Sequence, residues 1–162
     1  MNFDQSFEIE NTKGDRIKVA LSYYDAETLS IISSDPDVLT LVFYNVALYR
    51  ESGDGHVGPA VLNAVSKFLG DFILDNEDAV LCFLCDSVNE VPVNRRNLKP
   101  HEFRSTLFSR MFDRYVKSRG IGNLVNRIFA LSNDATIVAH FFCRKEHLPA
   151  VVKVQESLLQ KP

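Results

Sequence analysis

VALYRESGDGHVGPAVLNAVSKFL, residues 46–69, decides how the chain is read. An apolar strand ending near Tyr49 runs into a glycine-bearing loop, and Pro59 opens an amphipathic helix. Proline suits a first helical turn because the N–H it lacks would have no intrahelical partner there. Val61, Val65, Phe68, Leu69 and Phe72 then recur at helical spacing. A strand–loop–helix junction of this kind presents free backbone N–H groups to an anion, so a ligand site is expected here first.

The neighbouring segments complete a βαβ unit. Residues 79–85, AVLCFLC, are apolar throughout, as a strand covered on both faces would be. Residues 38–49 are similarly apolar and β-branched, so the two strands should be central, adjacent and parallel. Upstream, residues 7–10 and 16–21 alternate around a turn bearing Gly14, which predicts a β-hairpin. Residues 25–34 are a short helix or irregular, and Pro36 breaks them.

Downstream, residues 86–100 are a polar loop with two prolines. A helix from about 101 to 119 carries Phe103, Leu107, Phe108, Met111, Phe112 and Tyr115 on one stripe, and Gly120 and Gly122 end it. Residues 125–131 and 136–143 read as a second hairpin, and 148–159 as a C-terminal helix with Pro149 in its first turn. The expectation is one α+β domain over residues 1–162. It has a single mixed sheet of about six strands and three helices, in the order β-β-(α)-β-α-β-α-β-β-α.

Composition narrows the class. With 46% hydrophobic and 24% charged residues in 162, the chain is an ordinary globular domain that needs no disulfide framework. Three cysteines, no apolar run long enough to span a bilayer and an acidic N-terminus without a signal-peptide core together predict a cytoplasmic protein without membrane attachment. The net charge of −3 conceals an asymmetry. Residues 1–94 hold 5 Lys/Arg against 16 Asp/Glu, whereas residues 95–127 hold 9 against 2. The basic patch Arg95, Arg96, Lys99, Arg110, Arg114, Lys117 and Arg119 could face an acidic protein partner or an anion, or simply be solvated. Nucleic acid is disfavoured, because binding it calls for exposed aromatics or a recognition helix, and the sheet aromatics here read as buried.

Gly53-Asp54-Gly55-His56-Val57-Gly58 fits G-x-G-x-x-G. A dinucleotide fold is rejected, because Arg50-Glu51-Ser52 intervenes after the strand and no second βαβ half follows. Arg50-Glu51-Ser52-Gly53-Asp54-Gly55 instead resembles R/Q-x-x-G-x-G/A, the pyrophosphate loop of the GNAT N-acyltransferase superfamily. The order of elements over residues 38–143 is similar too. The resemblance implies an acyl-CoA site in which Arg50, Gly53, Asp54, Gly55, His56, Val57 and Gly58 surround the pyrophosphate. Residues 46–49 would then pair with the pantetheine arm, and the acyl group would pass to an amine.

Two features depart from that pattern. Pro59 starts the helix three or four residues late, and Tyr115 and Gly120 are one residue too far apart for the superfamily's general acid, Val116 taking the matching place. Tyr115 therefore reads as a core tyrosine. No residue stands out as the general base, so a degenerate member is one reading. The chain also resembles small uncharacterised bacterial proteins that share a strand end like Cys85-Asp86, then an arginine and an aromatic-rich helix; that likeness assigns no function.

Other polar residues carry narrower expectations. Arg104 falls within the apolar stripe of its helix, so it must snorkel or meet a carboxylate, and Asp86 is the expected partner in a structural ion pair. Cys82 and Cys85, three apart on a strand, should point to opposite faces as structural thiols. His140, Cys143 and His147 lack the four-ligand set that zinc requires, and no metal is assigned. The alternative to acyl transfer is a non-catalytic interaction domain, such as a homo-oligomer formed through the acidic and basic faces.

Overall fold

The computed structural model describes residues 2–10, 14, 16–52, 59–85, 100–131 and 137–160. Strands β1 (Asn2–Glu10) and β2 (Arg16–Tyr23) form the expected antiparallel hairpin. Two short helices follow, α1 (Ala26–Ile32) and α2 (Pro36–Leu39), then strand β3 (Val42–Ser52) and helix α3 (Pro59–Asp75). Next come strand β4 (Ala79–Cys85), helix α4 (Pro100–Arg119), strands β5 (Leu124–Ala130) and β6 (Val138–Arg144), and helix α5 (Leu148–Gln160). The six strands form one mixed sheet in the order β1-β2-β3-β4-β6-β5. β3 and β4 are its parallel pair, as a βαβ connection requires.

The α+β class and the single six-stranded sheet hold, but the described chain has five α-helices where three were expected. α1 takes the optional position expected over residues 25–34 and α2 is unforeseen; capping chemistry starts both. Asp25 Oδ1 accepts from the Thr28 N–H at 2.8 Å to start α1, and Asp35 Oδ1 accepts from the Asp37 N–H at 2.9 Å to start α2 on Pro36. Pro36 thus ends one helix and begins another, and Val38, expected on the strand, is buried on α2. Lys153 of α5 bridges to Asp35 at 2.7 Å, tying α2 to the C-terminal helix.

Helices cover both sides of the sheet. Val19 and Leu21 of β2 and Val46 of β3 face α3 and α4, where Val65, Leu69, Phe72, Phe108 and Met111 meet them. Phe43, Val80, Phe141 and Cys143 point the other way, against Leu29, Val38 and the α5 residues Val151 and Val154. β4 is buried at every position except Cys82, half-buried, and Leu84, exposed, so its unbroken apolar run matches its place mid-sheet. The C-terminal end of α3 is closed by Arg144, whose guanidinium donates to the carbonyls of Ile73 and Leu74 at 2.9 and 3.1 Å. Among the described residues no helix is long and apolar enough to cross a membrane.

Candidate functional site

The parallel ladder between β3 and β4 is short. Val42–Asn45 pair with Ala79–Cys82, and there the ladder stops. β3 runs on to Ser52 against β2 alone, while β4 runs on to Cys85 against β6 alone. Beyond Asn45 and Cys82 the two central strands part at their C-terminal ends, leaving main-chain groups of residues 46–49 unmatched on the β4 side among the described residues. α3 departs from the end of β3, so its first turn lies beyond the same opening. A crevice at the carboxyl ends of parallel strands is where open α/β sheets bind ligands.

Registry places Lys18, Ala20 and Ser22 of β2 beside Tyr49, Ala47 and Asn45 of β3, and Asn45 beside Cys82. These residues line the sheet face opposite α3 and α4, together with Leu84, and among the described residues the α1/α2/α5 layer leaves the far end of that face uncovered. Tyr49 is 54% exposed and Leu84 56%. Tyr49 therefore departs from the expectation that the sheet aromatics are buried. The face offers an amine, an amide, a hydroxyl and a phenol, and Glu8 of β1, the cross-strand partner of Lys18, adds a carboxylate.

The residues singled out from the sequence distribute unevenly. Gly53, Asp54, Gly55, His56, Val57 and Gly58 lie outside the described residues, as do Asp86, Arg95 and Arg96. Arg50 is placed by its backbone on β3, opposite Ile17. Arg104 is half-buried on α4. Arg110, Arg114 and Lys117 are exposed on the outer side of α4, and Arg114 donates to Asn63 Oδ1 of α3 at 2.8 Å.

Tyr115 is a packed core residue. Its ring covers Gly70 of α3, where a Cβ would overlap it, and its hydroxyl donates to Asp71 Oδ1 at 2.8 Å. Arg119 reaches the same oxygen at 2.9 Å and lies over the Tyr115 ring. Burial first, and then the Asp71 carboxylate, push the phenol up to about 12. Burial would raise the Asp71 carboxyl, but hydrogen bonds from Tyr115 and Lys67 and the charge of Arg119 outweigh it and hold the group low.

Cys82 packs on the α5 side and Cys85 on the α4 side, so the two thiols diverge as strand alternation requires. Burial raises the Cys82 thiol well above its ordinary range and pushes Cys143 up to about 12, which keeps both protonated at neutral pH. His140 and Cys143 belong to opposite faces of the sheet, and the His147 ring meets the Glu77 carbonyl at 2.8 Å. No group of three or more His, Cys, Asp or Glu side chains is gathered for a metal among the described residues.

Sequence reasoning missed the constellation on the α4 face. His140 sits mid-strand on β6 and is fully buried. Its Nε2 lies 2.7 Å from Ser105 Oγ of α4, and its Nδ1 lies 3.0 Å from Asn126 Oδ1 of β5. Asn126 Nδ2 in turn donates to Ser109 Oγ at 3.2 Å. An amide oxygen only accepts, so this orientation of Asn126 sets the proton on Nδ1 and leaves Nε2 to accept the Ser105 hydroxyl. The rings of Phe108 and Phe142 enclose the imidazole, and burial pushes it down to about 4, so it is neutral at neutral pH.

His140 pairs with Phe83, one residue past the last β3–β4 rung, so this group stands level with the opening and one strand beyond β4. A signal for it was present in the sequence: a histidine inside an apolar strand needs polar partners, and Ser105 and Ser109 lie one helical turn apart within the stripe of Phe108 and Phe112. Neither protein-family models nor curated proteins match the chain.

Proposed function

We propose that the chain is an acyl-CoA-binding domain of the N-acyltransferase kind, passing an acyl group to an amine. The parting of β3 and β4 beyond Asn45 and Cys82 carries this reading. It frees strand amides of residues 46–49 at the very place where the sequence continues into the glycine motif and α3. In this reading those amides pair with the pantetheine arm and stabilise the thioester oxyanion. The backbone N–H groups of residues 53–58 hold the pyrophosphate, with Arg50 beside them. The amine approaches over the uncovered face that bears Lys18, Asn45 and Tyr49. Glu8 of β1 pairs with Lys18 on that face, and in this reading a carboxylate or a water chain takes the amine proton.

Calorimetric titration with acetyl-CoA and with CoA tests this. Micromolar binding that a Gly53→Asp/Gly55→Asp double variant abolishes is the expected outcome. A folded protein that binds neither ligand at millimolar concentration overturns it. One observation favours a second reading, a non-catalytic interaction domain: Tyr49 and Leu84 stand exposed on an uncovered sheet face beside the opening. That reading expects salt-sensitive self-association or capture of an acidic partner, read by sedimentation at low and high ionic strength.

A further inference from the structure

We propose that Ser105 is a nucleophile that accepts an acyl group from an activated ester or thioester, with His140 taking its proton and Asn126 holding the ring in register. The inference stands apart from acyl-CoA binding, since it concerns the α4 face of β5 and β6 and not the glycine loop.

The arrangement has the parts that nucleophilic catalysis by a hydroxyl requires. A serine is weak at its own pKa and needs a base within hydrogen-bond reach, and that base needs a third group to fix its tautomer. Ser105 Oγ lies 2.7 Å from His140 Nε2, and Asn126 Oδ1 lies 3.0 Å from Nδ1 on the opposite edge of the ring. Ser109 anchors the Asn126 amide from the next turn of the same helix, so all four side chains are mutually determined. Phe108, Met111 and Tyr115 bury the apolar stripe of α4, and the Ser105–His140–Asn126 group adds polar links beside it. The imidazole is enclosed by the Phe108 and Phe142 rings, whereas Ser105 is half-buried, so the serine is the more exposed member of the pair.

The chemistry balances within the site and the acyl donor. Ser105 Oγ attacks the carbonyl carbon as its proton passes to His140 Nε2. A bond from oxygen to carbon forms, the carbon–sulfur or carbon–oxygen bond to the leaving group breaks, and the departing thiolate or alkoxide takes the proton from Nε2. The product is an O-acyl serine and a free thiol or alcohol. Water or an amine then attacks the acyl carbon, giving a proton to His140 that returns to Ser105 Oγ.

The test uses the full chain with a fluorophosphonate probe and, separately, with p-nitrophenyl acetate, read by intact mass and peptide mapping. One adduct per chain on Ser105 is expected, lost in Ser105→Ala. His140→Gln should slow labelling by roughly 100-fold or more, the scale of a lost general base. Asn126→Ala should slow it as well, and Asn126→Asp, which restores an acceptor for Nδ1–H, should recover part of the rate; a merely structural asparagine would give no such recovery. A folded wild-type chain that takes up neither reagent, or takes it up on another residue, overturns the proposal. The adduct site in the wild-type chain is decisive even where a variant fails to fold. CoA titration reads a separate site, so failure of one proposal leaves the other standing.

Discussion

In its N-terminal half, α4 sets Ser105 against the fully buried His140 ring and Ser109 against Asn126; at its C-terminal end it sets Tyr115 and Arg119 against Asp71. Both clusters tie the helix to its neighbours, but with opposite electrostatics. The inner one holds no formal charge at neutral pH, because burial keeps the imidazole unprotonated. The outer one places a carboxylate between an arginine, a lysine and a phenol where water still reaches it. Desolvation decides the difference. An ion pair deep in the core must recover a penalty of several kcal/mol per ion, whereas at the rim the penalty is small and so is the gain.

Deleting the inner ring should have the largest effect. His140→Ala leaves a cavity and strips Ser105 and Asn126 of a partner, and should cost about 3–5 kcal/mol in urea denaturation. A loss below about 1 kcal/mol would mean that the inner cluster is no tighter than the rim.

Acid should separate the two ends next. His140 has a folded pKa of about 4, below its ordinary 6.5, so the unfolded chain binds more protons between those values. Stability present above about pH 6.5 is therefore lost as pH falls toward 4, by up to ~1.4 kcal/mol per pH unit and about 2 kcal/mol by pH 4.5. The groups facing the ring from α4, β5 and β6 (Ser105, Ser109, Asn126, Phe108 and Phe142) do not titrate in that window. Asp71, held low, keeps its stabilising effect above its ordinary carboxyl range and loses it only as pH falls below that range. Denaturation midpoints at pH 7 and pH 4.5 check this, and a flat profile would contradict the buried neutral ring.

Gly70→Ala tests packing at the outer end. The added methyl meets the Tyr115 ring, and overpacking should cost about 1–3 kcal/mol despite the better helix propensity of alanine. The smallest effect is expected for Tyr115→Phe, which removes only the hydroxyl bond to Asp71: about 1 kcal/mol in the same assay. A larger loss there than for His140→Ala would reverse the ranking of the two clusters.

Much of the architecture was legible because it rests on local periodicity. Alternation around Gly14 gave the hairpin, the apolar run at Ala79–Cys85 gave a covered strand, and helical spacing from Val61 to Phe72 gave α3. Residues 38–41 were misread as the start of a strand, because an Asp-Pro pair can open a helical turn as well as end one, and Asp35 capping chose the turn. The buried cluster was illegible for a different reason. Ser105 and His140 are 35 residues apart and Asn126 and His140 are 14 apart, on three elements whose juxtaposition no spacing rule encodes.

The α+β class, the first hairpin, the covered strand and α3 followed from the sequence, since they rest on side-chain period and on the backbone demands of proline. Only the tertiary structure decided where β3 and β4 separate and which polar residues meet around His140. Strand registry and helix docking are set by packing across the whole core, and a buried hydrogen bond exists only where that packing brings donor and acceptor together.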